Sequence, residues 1–132
     1  MKRIIHIAFL CIAFAALTFT AKAAEPVVKS GIEVLRDRNF EILKGKRVGL
    51  VTNPSGVDRF LNSTVDILFN APDVELVALY GPEHGVRGDV YAGGHVTDTK
   101  DEATGLPVYS IYGATRKPTP QMLEGIDVMV YD

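Results

Sequence analysis

Cysteine is nearly absent from this 132-residue chain, which contains Cys11 alone and no tryptophan. A single thiol cannot form an intramolecular disulfide, so the fold has to be stabilised by its core. Basic residues do not dominate either, because 14 lysines and arginines stand against 16 aspartates and glutamates. Nucleic-acid binding requires a basic face for the phosphates, and this charge balance argues against it.

The amino terminus has the pattern of a secretory signal peptide. Two basic residues precede an apolar run from Ile4 to Ala21, and Ala21-Lys22-Ala23 supplies the small residues that signal peptidase reads. A membrane anchor is the alternative, since about 18 apolar residues are the lower limit for crossing a bilayer. Cys11 lies inside the apolar run, too early for a lipid-modified cysteine. We predict a signal peptide over residues 1–23, a periplasmic or secreted location, and no stable membrane anchor after cleavage.

Cleavage after Ala23 leaves residues 24–132 as the predicted mature chain. It removes three basic residues, so 11 basic side chains remain against 16 acidic ones and the net charge becomes about −5. This charge argues against binding to an anionic membrane surface. A chain of this length can bury only a modest core.

Four apolar runs of strand length alternate with helical patterns along the mature chain. The predicted strands are Val48–Thr52, Val74–Tyr80, Leu106–Tyr112 and Asp127–Tyr131. The predicted helices are Gly31–Leu43, a second one capped by Ser63 or Thr64, and Pro118–Glu124 with Gly125 as its stop. Strands alternating with helices pair in parallel through right-handed crossovers. The pattern predicts an α/β fold, an open parallel sheet with helices on its faces.

Polar or glycine-rich segments follow every predicted strand. They are Asn53–Gly56, Gly81–Gly85, Gly113–Arg116 and Asp132. Open parallel sheets bind ligands at the carboxyl ends of their strands, so we expect these segments to meet at one edge. The sequence stops at Asp132, directly after the fourth predicted strand, and we expect it to be a truncated part of a longer domain.

The loop from Gly81 to Gly94 concentrates ionisable side chains, including Arg87 and Asp89, among five glycines. Glycine permits sharp turns, so Glu83 and His84 can be held above the sheet edge. Glu83 is the candidate general acid or base if partial burial keeps it protonated near neutral pH, and His84 is the candidate to orient it or bind substrate. A solvated surface loop is the alternative.

Several other chemistries lack support. A metal site would recruit His84 and His95 with a carboxylate, but no H-x-x-x-H or H-E-x-x-H spacing is present, and we predict no metal. The turn at Asn53 has neither nucleotide-binding glycine motif, so we predict no cofactor, and Asn53 either binds a ligand or fixes the turn. Ser55 and Ser110 lack the G-x-S-x-G setting of serine hydrolases.

Arg116 and Lys117 form a basic pair on a proline-rich loop at the same edge. Such a pair is either a solvated surface or an anion clamp. Arginine suits a clamp because its planar fork matches a carboxylate.

Five segments together resemble one bacterial family. They are GKRVGLVTNPSGVDR (Gly45–Arg59), LVALYGPEHGVRGD (Leu76–Asp89), AGG (Ala92–Gly94), TGLPVYSIYGATRKPTP (Thr104–Pro120) and GIDVMVYD (Gly125–Asp132). They occur in the order found in the exo-β-N-acetylmuramidase family of glycoside hydrolases, formerly a domain of unknown function. The resemblance covers the chain from about Gly31 to Asp132.

The resemblance implies an exported enzyme that releases N-acetylmuramic acid from the non-reducing end of peptidoglycan fragments. It also implies a Rossmann-like α/β domain, here its amino-terminal part, followed by a second domain. The glutamate of the G-P-E-H-G block is the leading catalytic candidate and corresponds to Glu83. Many relatives have an acidic residue after the A-G pair, where this chain has Gly94, so the second carboxylate is Asp89, Asp132 or a residue beyond the chain.

Substrate binding is predicted for five residues in or beside the loops at the strand ends: Asn53, Arg87, Asp89, Arg116 and Asp132. We hypothesise that Arg87 or Arg116 pairs with the lactyl carboxylate, the group that distinguishes muramic acid from glucosamine. Two alternatives remain: a periplasmic protein that binds wall sugars without cleaving them, and an inactive, truncated remnant.

Overall fold

The structure is a computed structural model and describes residues 28–91, 94 and 97–132. The predicted signal peptide and His95 lie outside the described residues. Within the described part of the chain, no helix is long and apolar enough to cross a membrane.

Five strands form one sheet. They are β1 (Arg47–Val51), β2 (Glu75–Gly81), β3 (Thr99–Lys100), β4 (Pro107–Ser110) and β5 (Val128–Tyr131). Their order in the sheet is β3-β4-β2-β1-β5, with parallel pairing of β1 to β2, β1 to β5 and β2 to β4. The predicted α/β class and the four predicted strands are confirmed. The third strand is shorter than predicted, because it ends at Ser110 rather than Tyr112.

Strand β3 was not predicted. It pairs antiparallel with β4 through Thr99 and Lys100 at the edge of the sheet. Two exposed polar residues carry no apolar pattern, so only the contact with β4 makes this segment a strand.

The first predicted helix is shorter than expected. Helix α1 covers Gly31–Asp37, and a separate 3₁₀ turn covers Glu41–Leu43. Between them Asn39 and Phe40 adopt left-handed backbone angles, with φ of 51° and 53°, which end the helix. The reversal is compatible with the apolar pattern because it buries Phe40 in the core.

Helix α2 covers Thr64–Phe69 and begins as predicted. The side chain of Ser63 caps it by accepting a hydrogen bond from the backbone N–H of Val65 at 3.2 Å. The predicted helix over Pro118–Glu124 is wrong, since residues 120–125 form successive turns. The Met122 carbonyl accepts a hydrogen bond from the Tyr80 hydroxyl, and Gly125 at φ 71° ends the segment.

One face of the sheet carries the aliphatic core. Val48 and Leu50 of β1 lie on this face and are fully buried. They belong to a cluster with buried side chains from both helices, the 3₁₀ turn and its preceding residue, β2, the loop after β2, and β4: Ile32, Phe40, Leu43, Val65, Leu68, Leu76, Leu79, Val86 and Val108. The other face carries Gly49, Tyr80 and Met129, and the turns at 120–125 lie against it through the Tyr80 hydroxyl.

The carboxyl ends of β1, β2, β4 and β5 point to the same edge because these strands are parallel. Backbone hydrogen bonds keep the chain in contact just beyond the strands. Thr52 N donates to Tyr80 O at 3.3 Å, and Ile111 N donates to Gly81 O at 3.0 Å. Asp132 N donates to Val51 O at 3.1 Å. The segments after the strands therefore start side by side, as predicted.

Candidate active site

A groove of about 510 Å³ lies at this edge, between the loops that follow β1 and β2. It is lined by Asn53, Pro54, Ser55, Glu83, His84, Arg87 and Gly88. Four predicted site residues, Asn53, Glu83, His84 and Arg87, are thus brought together. The groove confirms that the loops converge, whereas the catalytic and binding roles of these residues stay predictions.

The two loops approach each other closely at Gly88. A Cβ atom on this glycine would lie 2.8 Å from Cγ of Pro54, and its φ of 81° is in the left-handed region. Both the space and the backbone angle therefore require glycine. Both Pro54 and Gly88 line the groove, so this close contact limits how far apart the two loops lie there.

Asn53 fixes the turn after β1. Its Oδ1 accepts hydrogen bonds from the backbone N–H and the hydroxyl of Ser55, at 2.9 and 2.7 Å. This is the self-contained turn that asparagine side chains commonly form. Of the two roles considered for Asn53, the geometry supports turn formation through Oδ1.

Glu83 is half-buried at the groove, and its Oε1 accepts a hydrogen bond from the Tyr112 hydroxyl at 3.0 Å. Tyr112 was missed as a site residue because the sequence pattern placed it inside the third strand. The strand actually ends at Ser110, so Tyr112 belongs to the following loop. The only signal for it was its place at the predicted carboxyl edge.

His84 ties the G-P-E-H-G turn to the rest of its loop. Its φ is 74°, and Nδ1 lies 3.0 Å from the carbonyl oxygen of Val90. Because a carbonyl oxygen only accepts, Nδ1 is the donor in this contact, which leaves Nε2 facing away from the Val90 carbonyl. Left-handed backbone angles are uncommon for a histidine, and the hydrogen bonds of the loop hold His84 in this conformation.

The guanidinium of Arg87 is already paired with two carboxylates of the protein. It donates two hydrogen bonds to Asp66 of α2, at 2.9 and 2.8 Å, and two to Asp101, at 2.8 and 2.9 Å. Hydrogen bonds from Arg87 are the main cause that lowers the pKa of Asp101, and those from Asp101 and Asp66 raise the pKa of Arg87. The guanidinium thus ties the loop after β2 to α2 and to the segment after β3. Of the two arginines considered for the lactyl carboxylate, this geometry favours Arg116.

Asp89 does not line the groove. It lies with Thr97, Lys100 and Glu102 on a neighbouring cavity of about 580 Å³, to which Arg87 also contributes. Gly85 leaves room for its carboxylate, since a Cβ atom there would lie 2.6 Å from Asp89 Oδ1.

Arg116 and Asp132 lie near the groove without lining it. The hydrogen bond with Glu83 raises the pKa of Tyr112, and the positive charge of Arg116 opposes this effect, which places Arg116 within electrostatic reach of the Glu83–Tyr112 pair. Asp132 accepts a hydrogen bond from the Thr64 hydroxyl at the start of α2. Its Oδ2 would lie 3.3 Å from a Cβ atom on Gly56, so it borders the turn after β1.

Within residues 28–91, 94 and 97–132, no three histidine, cysteine, aspartate or glutamate side chains are grouped so as to hold a metal ion. The groups available in the groove are the carboxylate of Glu83, the imidazole of His84, the guanidinium of Arg87 with its two carboxylate partners, and neutral hydrogen-bonding groups. A carboxylate held by a hydroxyl donor is suited to proton transfer.

Comparison with known proteins decides the family. Residues 48–132 match the family described as "Exo-beta-N-acetylmuramidase NamZ, N-terminal". The chain belongs to this family. It is also 54% identical over 110 residues to the peptidoglycan beta-N-acetylmuramidase NamZ of Bacillus subtilis (strain 168). The resemblance noted in the sequence is confirmed.

Two solved structures of DUF1343 family proteins from Bacteroides fragilis NCTC 9343 share the fold of this NamZ-family chain. One is 64% identical with a TM-score of 0.72, and the other is 30% identical with a TM-score of 0.62; each alignment covers 81% of this chain. The chain spans about a quarter of the length of these relatives: 27% of the Bacillus subtilis protein and 27% and 26% of the two Bacteroides proteins.

Proposed function

We propose that this NamZ-family protein takes part in the hydrolysis of peptidoglycan fragments and releases N-acetylmuramic acid from their non-reducing ends. The family description and the name of the Bacillus subtilis relative support the reaction class. The observation that carries the proposal is the position of Glu83. It is the only carboxylate among the described residues that line the groove, and it lies beside hydrogen-bonding groups from two loops.

In the proposed reaction, Glu83 protonates the oxygen of the leaving sugar. Glycoside hydrolysis also needs a second group, which activates water, forms a covalent intermediate or is the acetamide of the substrate itself. Asp132 borders the turn after β1 and Asp89 lines the neighbouring cavity, and residues that follow Asp132 in a longer chain are the other candidates. The lactyl carboxylate pairs with Arg116, which is exposed and lies close to the Glu83–Tyr112 pair.

The test is a muramidase assay on the gene product, extended through any open reading frame that continues past codon 132. Glu83→Gln keeps the shape of the side chain and removes the proton donor, so we expect kcat to fall by about 100-fold or more. Lys46→Gln, an exposed change ahead of β1, is the matched control and should be neutral. An active Glu83→Gln variant contradicts the role of Glu83. Tight sugar binding without product release by the unaltered protein supports a binding protein instead.

The same assay tests Arg116. Arg116→Ala should reduce turnover of muramic substrates more than that of glucosamine analogues, because only the former carry the lactyl carboxylate. Equal losses on both substrates remove this assignment.

We further propose that the protein is exported and acts on the cell wall in the periplasm or outside the cell. The basic start, the apolar run and the Ala21-Lys22-Ala23 site support this. Mass spectrometry of the protein isolated from its host should find a mature amino terminus at Ala24. A membrane-bound product that retains Ile4–Ala21 contradicts cleavage.

A further inference from the structure

Tyr112 is held in place by the end of strand β4. The hydroxyl of Ser110, the last residue of the strand, donates to Tyr112 O at 3.2 Å and accepts from Tyr112 N at 3.4 Å. Ser110 is itself buried, and its backbone N–H donates to Asp98 Oδ1 at 2.8 Å. The backbone of Tyr112 is therefore anchored although its side chain reaches the surface.

The neighbouring strand places Glu83 opposite this tyrosine. Strands β2 and β4 are paired in parallel, with Gly81 opposite Ser110, so Glu83 and Tyr112 each lie two residues beyond the same position of the ladder. The hydroxyl of Tyr112 reaches Oε1 of Glu83 at 3.0 Å across the two loops. The register of the sheet thus sets the contact.

We propose that Tyr112 is a positioning residue for Glu83: its hydroxyl orients the side-chain carboxyl group at the groove. This inference rests on the proposed function of the groove. A hydroxyl both donates and accepts, so the contact can orient Glu83 whether that residue acts as acid or as base. The hydroxyl keeps its proton near neutral pH, since the ordinary pKa of tyrosine is about 10 and the hydrogen bond to Glu83 raises it.

The first experiment needs no activity. The mobility of the Glu83 side chain is followed by ¹³C NMR relaxation in the whole chain, with Glu83→Gln used to assign its signal. In Tyr112→Phe, which keeps the ring and removes the hydroxyl, we expect the Glu83 side chain to become more mobile, because the hydrogen bond that orients it is lost. Tyr131→Phe is the matched control, since Tyr131 is 84% exposed on β5, and it should leave this mobility unchanged. Unchanged mobility of Glu83 in Tyr112→Phe overturns the inference.

The second experiment links the contact to turnover in the extended gene product. We expect Tyr112→Phe to lower kcat about tenfold with little change in KM, because a misplaced Glu83 slows the reaction more than it weakens substrate binding. An unchanged kcat, or a loss confined to KM, overturns the positioning role. If the unaltered protein has no muramidase activity while the Glu83 side chain still becomes more mobile in Tyr112→Phe, the proposed function fails and the coupling between Tyr112 and Glu83 stands.

Discussion

Removing the guanidinium of Arg87 should lower the free energy of unfolding of the domain, and the burial of its two partners indicates by how much. Arg87 is 28% exposed, and its two partners differ sharply, since the side chain of Asp101 is 3% exposed and that of Asp66 is 48% exposed. Loss of one partner of a buried ion pair costs about 3 to 5 kcal/mol, whereas a pair with a half-exposed partner contributes at most about 1 kcal/mol. Asp101 retains hydrogen bonds from Thr104 N and Oγ1, at 3.0 and 2.7 Å, so we take the lower figure. We expect Arg87→Ala to lower the free energy of unfolding by about 3 kcal/mol.

Urea unfolding of the variants, followed by circular dichroism, measures this difference. Arg38→Ala is the matched control, because Arg38 is exposed at the end of α1 and makes no ion pair within the described residues. Arg87→Lys should lie between the two, since an ammonium keeps the charge but not the paired geometry. Asp66→Asn should cost about 1 kcal/mol or less. The reasoning is refuted if Arg87→Ala is no less stable than Arg38→Ala, or if Asp66→Asn costs as much as Arg87→Ala.

Two further predictions concern a loop residue and the stability at low pH. Leu61 is 80% exposed and has a φ of 64°, a left-handed backbone angle that asparagine tolerates better than leucine. Leu61→Asn should therefore raise the free energy of unfolding by up to about 1 kcal/mol. The neighbouring change Phe60→Asn, at a position without a positive φ, should give no gain, and equal effects of the two changes in urea titrations would contradict the reasoning. A hydrogen bond from Arg59 is the main cause that lowers the pKa of Glu33 to about 2, so its contribution to stability is complete above the unfolded value near 4.5 and is lost as pH falls toward 2. Urea midpoints measured from pH 6 to pH 2 should therefore fall less steeply in Glu33→Gln than in the unaltered chain, and parallel curves would refute the assignment.

The strands and their common carboxyl edge could be predicted because they depend on local information. Continuous apolar runs mark buried strands, and the helices between them require parallel pairing. Parallel pairing in turn brings the loops with Asn53, Glu83 and His84 to one edge, where the groove lies. These features follow from residues close together in the sequence and require no knowledge of contacts between distant residues.

Local patterns failed where distant contacts decide the conformation. The segment Pro118–Glu124 has helical residues, but Tyr80 takes the Met122 carbonyl as its hydrogen-bond acceptor and the segment remains a series of turns. Strand β3 consists of two exposed polar residues and exists only through its pairing with β4. Phe40 combines left-handed backbone angles with a buried ring, a pairing that depends on the core around it.

By itself the sequence determined the family, the α/β class and which loops gather at the candidate site, because these depend on motif order and on hydrophobic periodicity. Only the tertiary structure decided what each charged group in those loops binds. Arg87 is bound by Asp66 and Asp101, 21 and 14 residues away along the chain, and Glu83 accepts a hydrogen bond from Tyr112, 29 residues away. The physical reason is that hydrogen-bond partners are set by strand register and loop approach, which spacing along a chain does not encode.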